Sequence, residues 1–223
     1  MAAERRASAP LPIFRRRAVA VPNAAAVLKS MVGAAQLYVL TLYFQDALGR
    51  TPLEAGLLFV PMTLASVVAS PVAGRLTTRL EARRTTASWG FAISGAGLML
   101  VAWQMPDEGA LAAVLLGMAV AEAGFVTASV PLTVAATGGV REGERGLASG
   151  VVSTATELGN AVGWAVVAAV IAASSGTDAL LSGLRWGLWS AIAIAVLGLM
   201  LVVVFMRPGT RETGRSSANV AEP

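Results

Sequence analysis

The sequence is divided into six long apolar blocks, and the charged residues lie mainly in the short segments between them. Each block reaches the roughly 20 mainly apolar residues that an α-helix needs to cross the hydrocarbon core of a bilayer. Charged types make up only 13% of the chain, against about 25% in a typical soluble domain. The pattern therefore predicts an all-α integral membrane protein and excludes a soluble globular domain.

The order of the blocks predicts three regions: a cytoplasmic N-terminal linker over residues 1–20, a six-helix transmembrane bundle over 21–206 and a disordered cytoplasmic tail over 207–223. The six predicted spans lie at about 21–48, 52–76, 86–105, 110–137, 147–173 and 186–206. The second span has a clear start signal. Thr51 suits an N-cap, Pro52 suits the first helical turn, and Glu54 completes a capping box.

The arginines predict the orientation. With the N-terminus inside, only Arg50 and Arg185 fall in outside segments, and all other arginines fall in cytoplasmic ones. This distribution satisfies the positive-inside rule. We therefore expect a multi-pass protein of the plasma membrane with both termini in the cytoplasm. Because the arginines sit at the ends of apolar blocks and are not interleaved with aromatic residues, we expect no nucleic-acid partner.

The chain contains neither cysteine nor histidine. Disulfides are impossible, and the usual zinc and thiolate sites have no ligands. Catalysis by serine–histidine or cysteine–histidine pairs is also excluded. We therefore expect no enzyme, no metal site and no cofactor.

Glu122 lies near the middle of the fourth block, with Ser129 and Thr133 on the same helix face. A charged side chain at the bilayer centre costs roughly 2.5–3.5 kcal/mol on insertion scales, so its presence needs a reason. Two interpretations remain open. The carboxyl group exchanges a proton beside a cavity, or it is a buried group that joins helices.

A polar stripe runs along the fifth block, where Ser153, Glu157, Asn160 and Trp164 recur at helical spacing. The stripe lines a substrate path, or its amide and carboxylate bridge packed helices. The same block carries two glycine pairs at a spacing of four, which favour close helix packing. These pairs are Gly146 with Gly150 and Gly159 with Gly163.

Lys29 shares a face of the first block with Gly33, Gln36 and Tyr43. Because it lies only about 12 Å from the predicted cytoplasmic end of that helix, its long side chain could extend to the interface. The alternative pairs the ammonium group with an acid or another anionic group inside the bundle.

Three segments resemble one protein family. They are YVLTLYFQDALGRTPLEAGL at 38–57, PVAGRLTTRLEARR at 71–84 and VPLTVAATGGVREGERGLASGVVSTATELGNAVG at 130–163. In this order they resemble the C-terminal half of major facilitator superfamily exporters, most closely the fourteen-helix drug:proton antiporters. The resemblance implies a six-helix bundle equivalent to one half of the major facilitator fold, with the N-terminal half missing from this chain.

The resemblance also implies proton-coupled efflux of small amphipathic molecules or drugs. For such an exporter, the depth and the helix face of the polar residues suggest candidate roles. The candidates for proton coupling are Glu122 and Glu157. The candidates for lining the substrate cavity are Lys29, Gln36, Asn160 and Trp164. The cytoplasmic gating loop would include Gly74, Arg75, Arg79, Arg83 and Arg84, although Thr78 and Glu81 depart from the family's pattern there.

The implied partners are the lipid bilayer, a small-molecule substrate and protons. A working transporter would need a second bundle, supplied by a homodimer or by a separate N-terminal half. Two alternatives compete with transport: a truncated and inactive remnant, and a non-transport membrane protein that serves as a partner or regulator.

Overall fold

The computed structural model describes residues 17–79, 83–105, 110–137, 145–174 and 179–206. Within these ranges the chain is helical and contains no strand. The helices are α1 (Arg17–Leu42), α2 (Pro52–Leu58), α3 (Val60–Arg79), α4 (Arg83–Gln104), α5 (Leu111–Thr137), α6 (Arg145–Ala172) and α7 (Ala179–Phe205). With α2 and α3 taken as one stretch, six helices are long and apolar enough to cross a membrane. The predicted all-α six-helix bundle is confirmed.

The two terminal regions of the prediction lie largely outside the described residues. Residues 17–20 of the predicted linker belong to α1, and the predicted tail at 207–223 is not described. At its other end α1 continues into a π-helical turn, Tyr43–Ala47. Gly49 then adopts a φ of 62°, a conformation that suits glycine, and the chain reverses towards α2.

The predicted capping box at the start of α2 is present. The backbone N–H of Thr51 donates to Glu54 Oε2 at 2.9 Å, and the backbone N–H of Glu54 donates to Thr51 Oγ1 at 3.4 Å. These reciprocal bonds satisfy two backbone donors that a helix start leaves without partners. Local sequence thus fixes where the second span begins.

The second span runs from Pro52 to Thr78 and is interrupted at Phe59. Pro61 follows two residues later and has no backbone N–H to donate to the carbonyl of Leu57. At the interruption the N–H of Phe59 bonds to the carbonyl of Gly56 at 3.2 Å, which tightens the turn. Pro71 and Pro131 are accommodated inside α3 and α5.

The last helix begins at Ala179, about two turns before the predicted start near Trp186. Arg185 and Trp186 are both exposed within it. The prediction was wrong because it began the sixth apolar block after Arg185. A polar side chain on the outer face of a helix does not interrupt the backbone hydrogen bonds.

Four helices form a closed ring in which α1 packs on α5, α5 on α4, α4 on α7 and α7 on α1. The other two long helices lie outside this ring, α3 mainly against α5 and α6 mainly against α1. The buried core contains Phe44, Leu40, Leu98, Met118, Leu132, Leu184 and Leu188. Much of α3 and α6 consequently remains exposed on the outside of the bundle.

Small residues allow the helices to approach closely, as the sequence predicted for one pair of glycines. A Cβ atom on Gly159 would lie 2.5 Å from the carbonyl oxygen of Val27, and one on Gly163 would lie 2.6 Å from that of Met31. These glycines therefore seat α6 directly on the backbone of α1. The other predicted pair, Gly146 and Gly150, has nothing within 4 Å.

A second close contact joins α4 to α5 and was not predicted. A Cβ on Gly97 would lie 2.3 Å from the backbone nitrogen of Ala121, and one on Gly124 would lie 2.2 Å from that of Ser94. The sequence carried the signal as small residues at helical spacing in both blocks. Contact at this distance makes the two helices a rigid pair on the side of the ring away from α6.

We expect Gly163→Leu to destabilise the bundle and Gly150→Leu to leave its stability unchanged or slightly raised. Both replacements are on α6 and gain the same helix propensity, but only the first forces a side chain into the backbone of α1. Overpacking of this kind costs roughly 1–3 kcal/mol. The measurement is the temperature at which the detergent-purified chain loses its monodisperse chromatographic peak. Equal stability of the two variants would contradict the α1–α6 contact.

Candidate functional site

Lys29 on α1 points across the bundle towards α5. Its Nζ donates to Ser129 Oγ at 3.0 Å and lies 4.2 Å from the centroid of the Phe125 ring. Phe125 and Ser129 are four residues apart and so share one face of α5. Ser129 Oγ in turn donates to the Phe125 carbonyl at 2.8 Å, which leaves its lone pairs available to accept from the ammonium group.

The position of Lys29 decides whether its side chain extends to the membrane interface or meets an anionic group inside the bundle. It lies about 18 Å along α1 from the first residue of that helix, because α1 begins at Arg17. Its side chain is held by Ser129 and Phe125 inside the bundle. Extension of the side chain to the interface was therefore the wrong interpretation, and the alternative, a group that meets an opposite charge in the bundle, agrees with the structure.

The opposite charge is that of Glu122, which lies one turn before Phe125 on α5. The charges of Glu122 and Lys29 interact electrostatically, and both side chains are half-buried. Glu122 lies about 17 Å along a helix of about 40 Å. The structure thus places an acid within electrostatic range of a base near the middle of the bundle, where α1 meets α5, while the Lys29 ammonium group itself contacts Ser129 and Phe125.

Gly33 makes room for the aromatic part of this cluster. A Cβ atom at this position would lie 2.5 Å from Cε2 of Phe125. Glycine one turn after Lys29 therefore lets the ring lie against α1, where its negative face meets the ammonium group. Phe125 was not predicted as part of the site. The sequence did contain a signal for it, because Phe125 is an aromatic residue one helical turn from Glu122.

Gln36 lies in the interior of the bundle and is 1% exposed. Its Nε2 donates to the Met118 carbonyl on α5 at 3.4 Å and lies 3.7 Å from Met62 Sδ on α3. Its Oε1 has no hydrogen-bond partner among the described residues. Gln36 therefore joins three helices and keeps one buried acceptor available for a water molecule or another donor.

Glu157 and Asn160 lie apart from the Lys29 cluster, on α6. Asn160 Nδ2 donates to Glu157 Oε2 at 3.5 Å, so this bond stays within one helix and does not bridge two. Glu157 is exposed, and Trp164 on the same stripe is 48% exposed. The polar stripe of α6 thus faces out of the bundle.

The predicted gating residues lie around the connection between α3 and α4. Gly74 and Arg75 are on α3, Arg79 ends that helix, and Arg83 begins α4 with an exposed side chain. The guanidinium of Arg84 donates to the Val203 carbonyl near the end of α7. Residues 80–82 lie outside the described residues, and with them Glu81.

The arrangement is suited to binding and proton exchange. Across the described ranges, no group of three or more acidic residues is placed to hold a metal ion. The cluster between α1 and α5 contains a lysine and a glutamate of opposite charge, the face of an aromatic ring and a hydroxyl group. A protonation change of Glu122 would change the net charge of this cluster by one unit, and the field would act on any charged molecule beside it.

Comparisons with known proteins identify the family of the chain. Residues 24–222 match the family model of the Major Facilitator Superfamily. The chain is 34% identical over 164 residues to a "Lincomycin resistance protein" of Streptomyces lincolnensis, covering 72% of this chain and 34% of the relative. It is 30% identical to a "Multidrug resistance protein Stp" of Mycobacterium tuberculosis, covering 70% of this chain and 29% of the relative.

A third relative, a "Cephamycin export protein CmcT" of Amycolatopsis lactamdurans, is 30% identical over 188 residues, which cover 82% of this chain and 38% of the relative. The chain thus spans about a third of the length of these curated relatives. The family model covers most of the chain, and the six apolar helices make it a multi-pass membrane protein. The chain belongs to the major facilitator superfamily.

Proposed function

We propose that this chain is one six-helix bundle of an exporter that moves small amphipathic molecules out of the cell in exchange for protons. The observation that carries the proposal is the Lys29 ammonium group, which is held against Ser129 and Phe125 inside the bundle and lies within electrostatic range of Glu122 on the same face of α5. The names of three relatives, which concern lincomycin resistance, multidrug resistance and cephamycin export, support the substrate class.

The exporter requires a second bundle, and α3 and α6 form the surface that would receive it. Both helices lie outside the ring and are largely exposed. Glu157 is on the outer face of α6, and a carboxylate that faced hydrocarbon would cost roughly 2.5–3.5 kcal/mol or more. A second copy of this chain or a separate N-terminal half would place this stripe beside a polar path instead.

Proton coupling is assigned to Glu122 because of its neighbours. While Glu122 is ionised, its charge offsets that of Lys29, and the site is close to neutral. Proton uptake by Glu122 leaves Lys29 uncompensated, and the positive potential then favours the release of a cationic molecule. Glu157 is the second candidate, and its partner is the amide of Asn160 instead of a cation.

Glu122→Gln tests this assignment directly. We expect export of ethidium, a fluorescent amphipathic cation, to lose its dependence on an imposed pH gradient. The rate in the presence of the gradient should fall to the rate measured without a gradient. The measurement is ethidium efflux from cells that express the assembled transporter, at several external pH values.

Glu122→Asp is the matched control, because it keeps an ionisable group at the same position and should retain part of the coupling. Unchanged pH dependence in Glu122→Gln would remove Glu122 from the mechanism. If Glu157→Gln abolished coupling instead, the role would pass to the stripe on α6.

The orientation of the bundle has a simple test, because the chain has no cysteine. We expect Arg50→Cys to react with a membrane-impermeant maleimide in intact cells, and Arg83→Cys to react only after the membrane is permeabilised. Both side chains are exposed, and they lie at opposite ends of the second span. Labelling in the reverse order would contradict the cytoplasmic location proposed for the termini.

The origin of the second bundle can be read from the size of the native product. A C-terminal tag on the chromosomal copy, followed by an immunoblot of washed membranes, gives the size of the translated chain. A band near 22.7 kDa would require a second copy or a separate chain as the partner. A band about twice that size would place both bundles in one polypeptide. Absence of export by the assembled protein would favour an inactive remnant or a regulatory partner.

A further inference from the structure

A cavity of about 390 Å³ lies between α4 and α7, away from the Lys29–Glu122 cluster. Five of its lining residues come from the first turns of α4 and one comes from α7. They are Arg84, Thr85, Ser88, Trp89, Ala92 and Leu199.

The position of this cavity separates it from the transport site. In the ring of four helices, the contact between α4 and α7 lies opposite the contact between α1 and α5. Arg84 is at the start of α4 and Leu199 is near the end of α7, so the cavity lies at one end of the bundle. In the proposed orientation this end is cytoplasmic, at the level of the lipid headgroups.

The lining is cationic and polar at one end. Arg84 is half-buried, and its guanidinium is fixed by the bond to the Val203 carbonyl. A guanidinium group carries several further N–H donors, in a planar fork that suits phosphate oxygens. Ser88 Oγ already donates to the Arg84 carbonyl at 2.9 Å, and the Thr85 side chain is exposed beside it.

The other end of the lining is apolar and faces the outside of the bundle. Trp89 is 63% exposed, and Ala92 and Leu199 continue the surface along the helices. Tryptophan is enriched where a membrane protein meets the headgroup region, since its ring has an apolar body and one N–H donor. Beyond the cavity, α7 exposes Val196, Leu197 and Met200.

We propose that this cavity binds the headgroup of an anionic glycerophospholipid from the adjacent leaflet. The phosphate contacts Arg84 and the Thr85 hydroxyl, and the glycerol backbone and first acyl carbons lie against Trp89, Ala92 and Leu199. Basic pockets between helices on the cytoplasmic side of membrane proteins recognise anionic headgroups in this way. A soluble phosphate would make no use of the apolar end of the lining, so the observations favour a lipid.

Native mass spectrometry of the detergent-purified chain tests the proposal. The chain is titrated with phosphatidylglycerol and, separately, with phosphatidylcholine of the same acyl chains. We expect the first phosphatidylglycerol to bind at least about fivefold more tightly, which corresponds to about 1 kcal/mol for one arginine near the surface. Equal affinity for the two lipids would overturn the proposal.

Arg84→Gln should abolish this preference, and Arg83→Gln is the matched control. Arg83 is the neighbouring arginine, is exposed and does not line the cavity. Loss of the preference in Arg84→Gln alone supports a built site. An equal loss in both variants would mean that surface charge attracts the lipid, and it would overturn the proposal.

Two further variants keep the test decisive if Arg84→Gln loosens the contact with α7. Arg84→Lys retains a cation and should retain part of the preference. Ala92→Phe fills the apolar end, leaves Arg84 in place, and should weaken phosphatidylglycerol binding because the first acyl carbons lose their place against the helices. Full binding by Ala92→Phe, or displacement of phosphatidylglycerol by millimolar inorganic phosphate, would contradict a lipid site.

Discussion

The bundle depends on how it accommodates one ammonium group in the middle of apolar helices. An isolated charge in a medium of low polarity is costly unless it is paired and hydrogen-bonded. The Lys29 ammonium meets the Ser129 hydroxyl, the Phe125 ring and the field of Glu122. All three partners are on α5, so α1 and α5 must meet in one register. Gly33 permits that register because any larger side chain would occupy the volume of the Phe125 ring.

Much of the fold could be predicted because its signals are local. The length and hydrophobicity of the blocks predicted six spans, and the spacing of Thr51 and Glu54 predicted the start of the second span. The error in the start of the last helix arose where a local signal was overridden. The early start at Ala179 depends on backbone bonding, which hydropathy does not record. Which helices pack together was not predicted at all, because it depends on surfaces from distant parts of the chain.

The candidate site was predictable as a set of residues but not as an arrangement. Lys29 and Glu122 were conspicuous because charge is rare in apolar blocks, yet nothing in the sequence joined two residues so far apart. The structure brings these two together and leaves Asn160 bonded within its own helix. Phe125 was not predicted because an aromatic residue in an apolar block is common and does not by itself indicate a site. Only the position of the ring beside an ammonium group gives it a role.

Polar and charged groups are distributed differently on the two sides of the ring. The α1–α5 side carries opposite charges deep in the bundle and is flanked by α3 and by the polar stripe of α6. The α4–α7 side exposes large apolar side chains, among them Met99, Leu197 and Met200, and has its cationic cavity at one end. Glu157 lies on the outer face of α6, where hydrocarbon is a poor environment for a carboxylate. In the proposed exporter, a second bundle would therefore cover the first side, and the second side would meet lipid. Close glycine contacts hold α4 to α5 and α6 to α1, so we expect each of these two helix pairs to move as a unit.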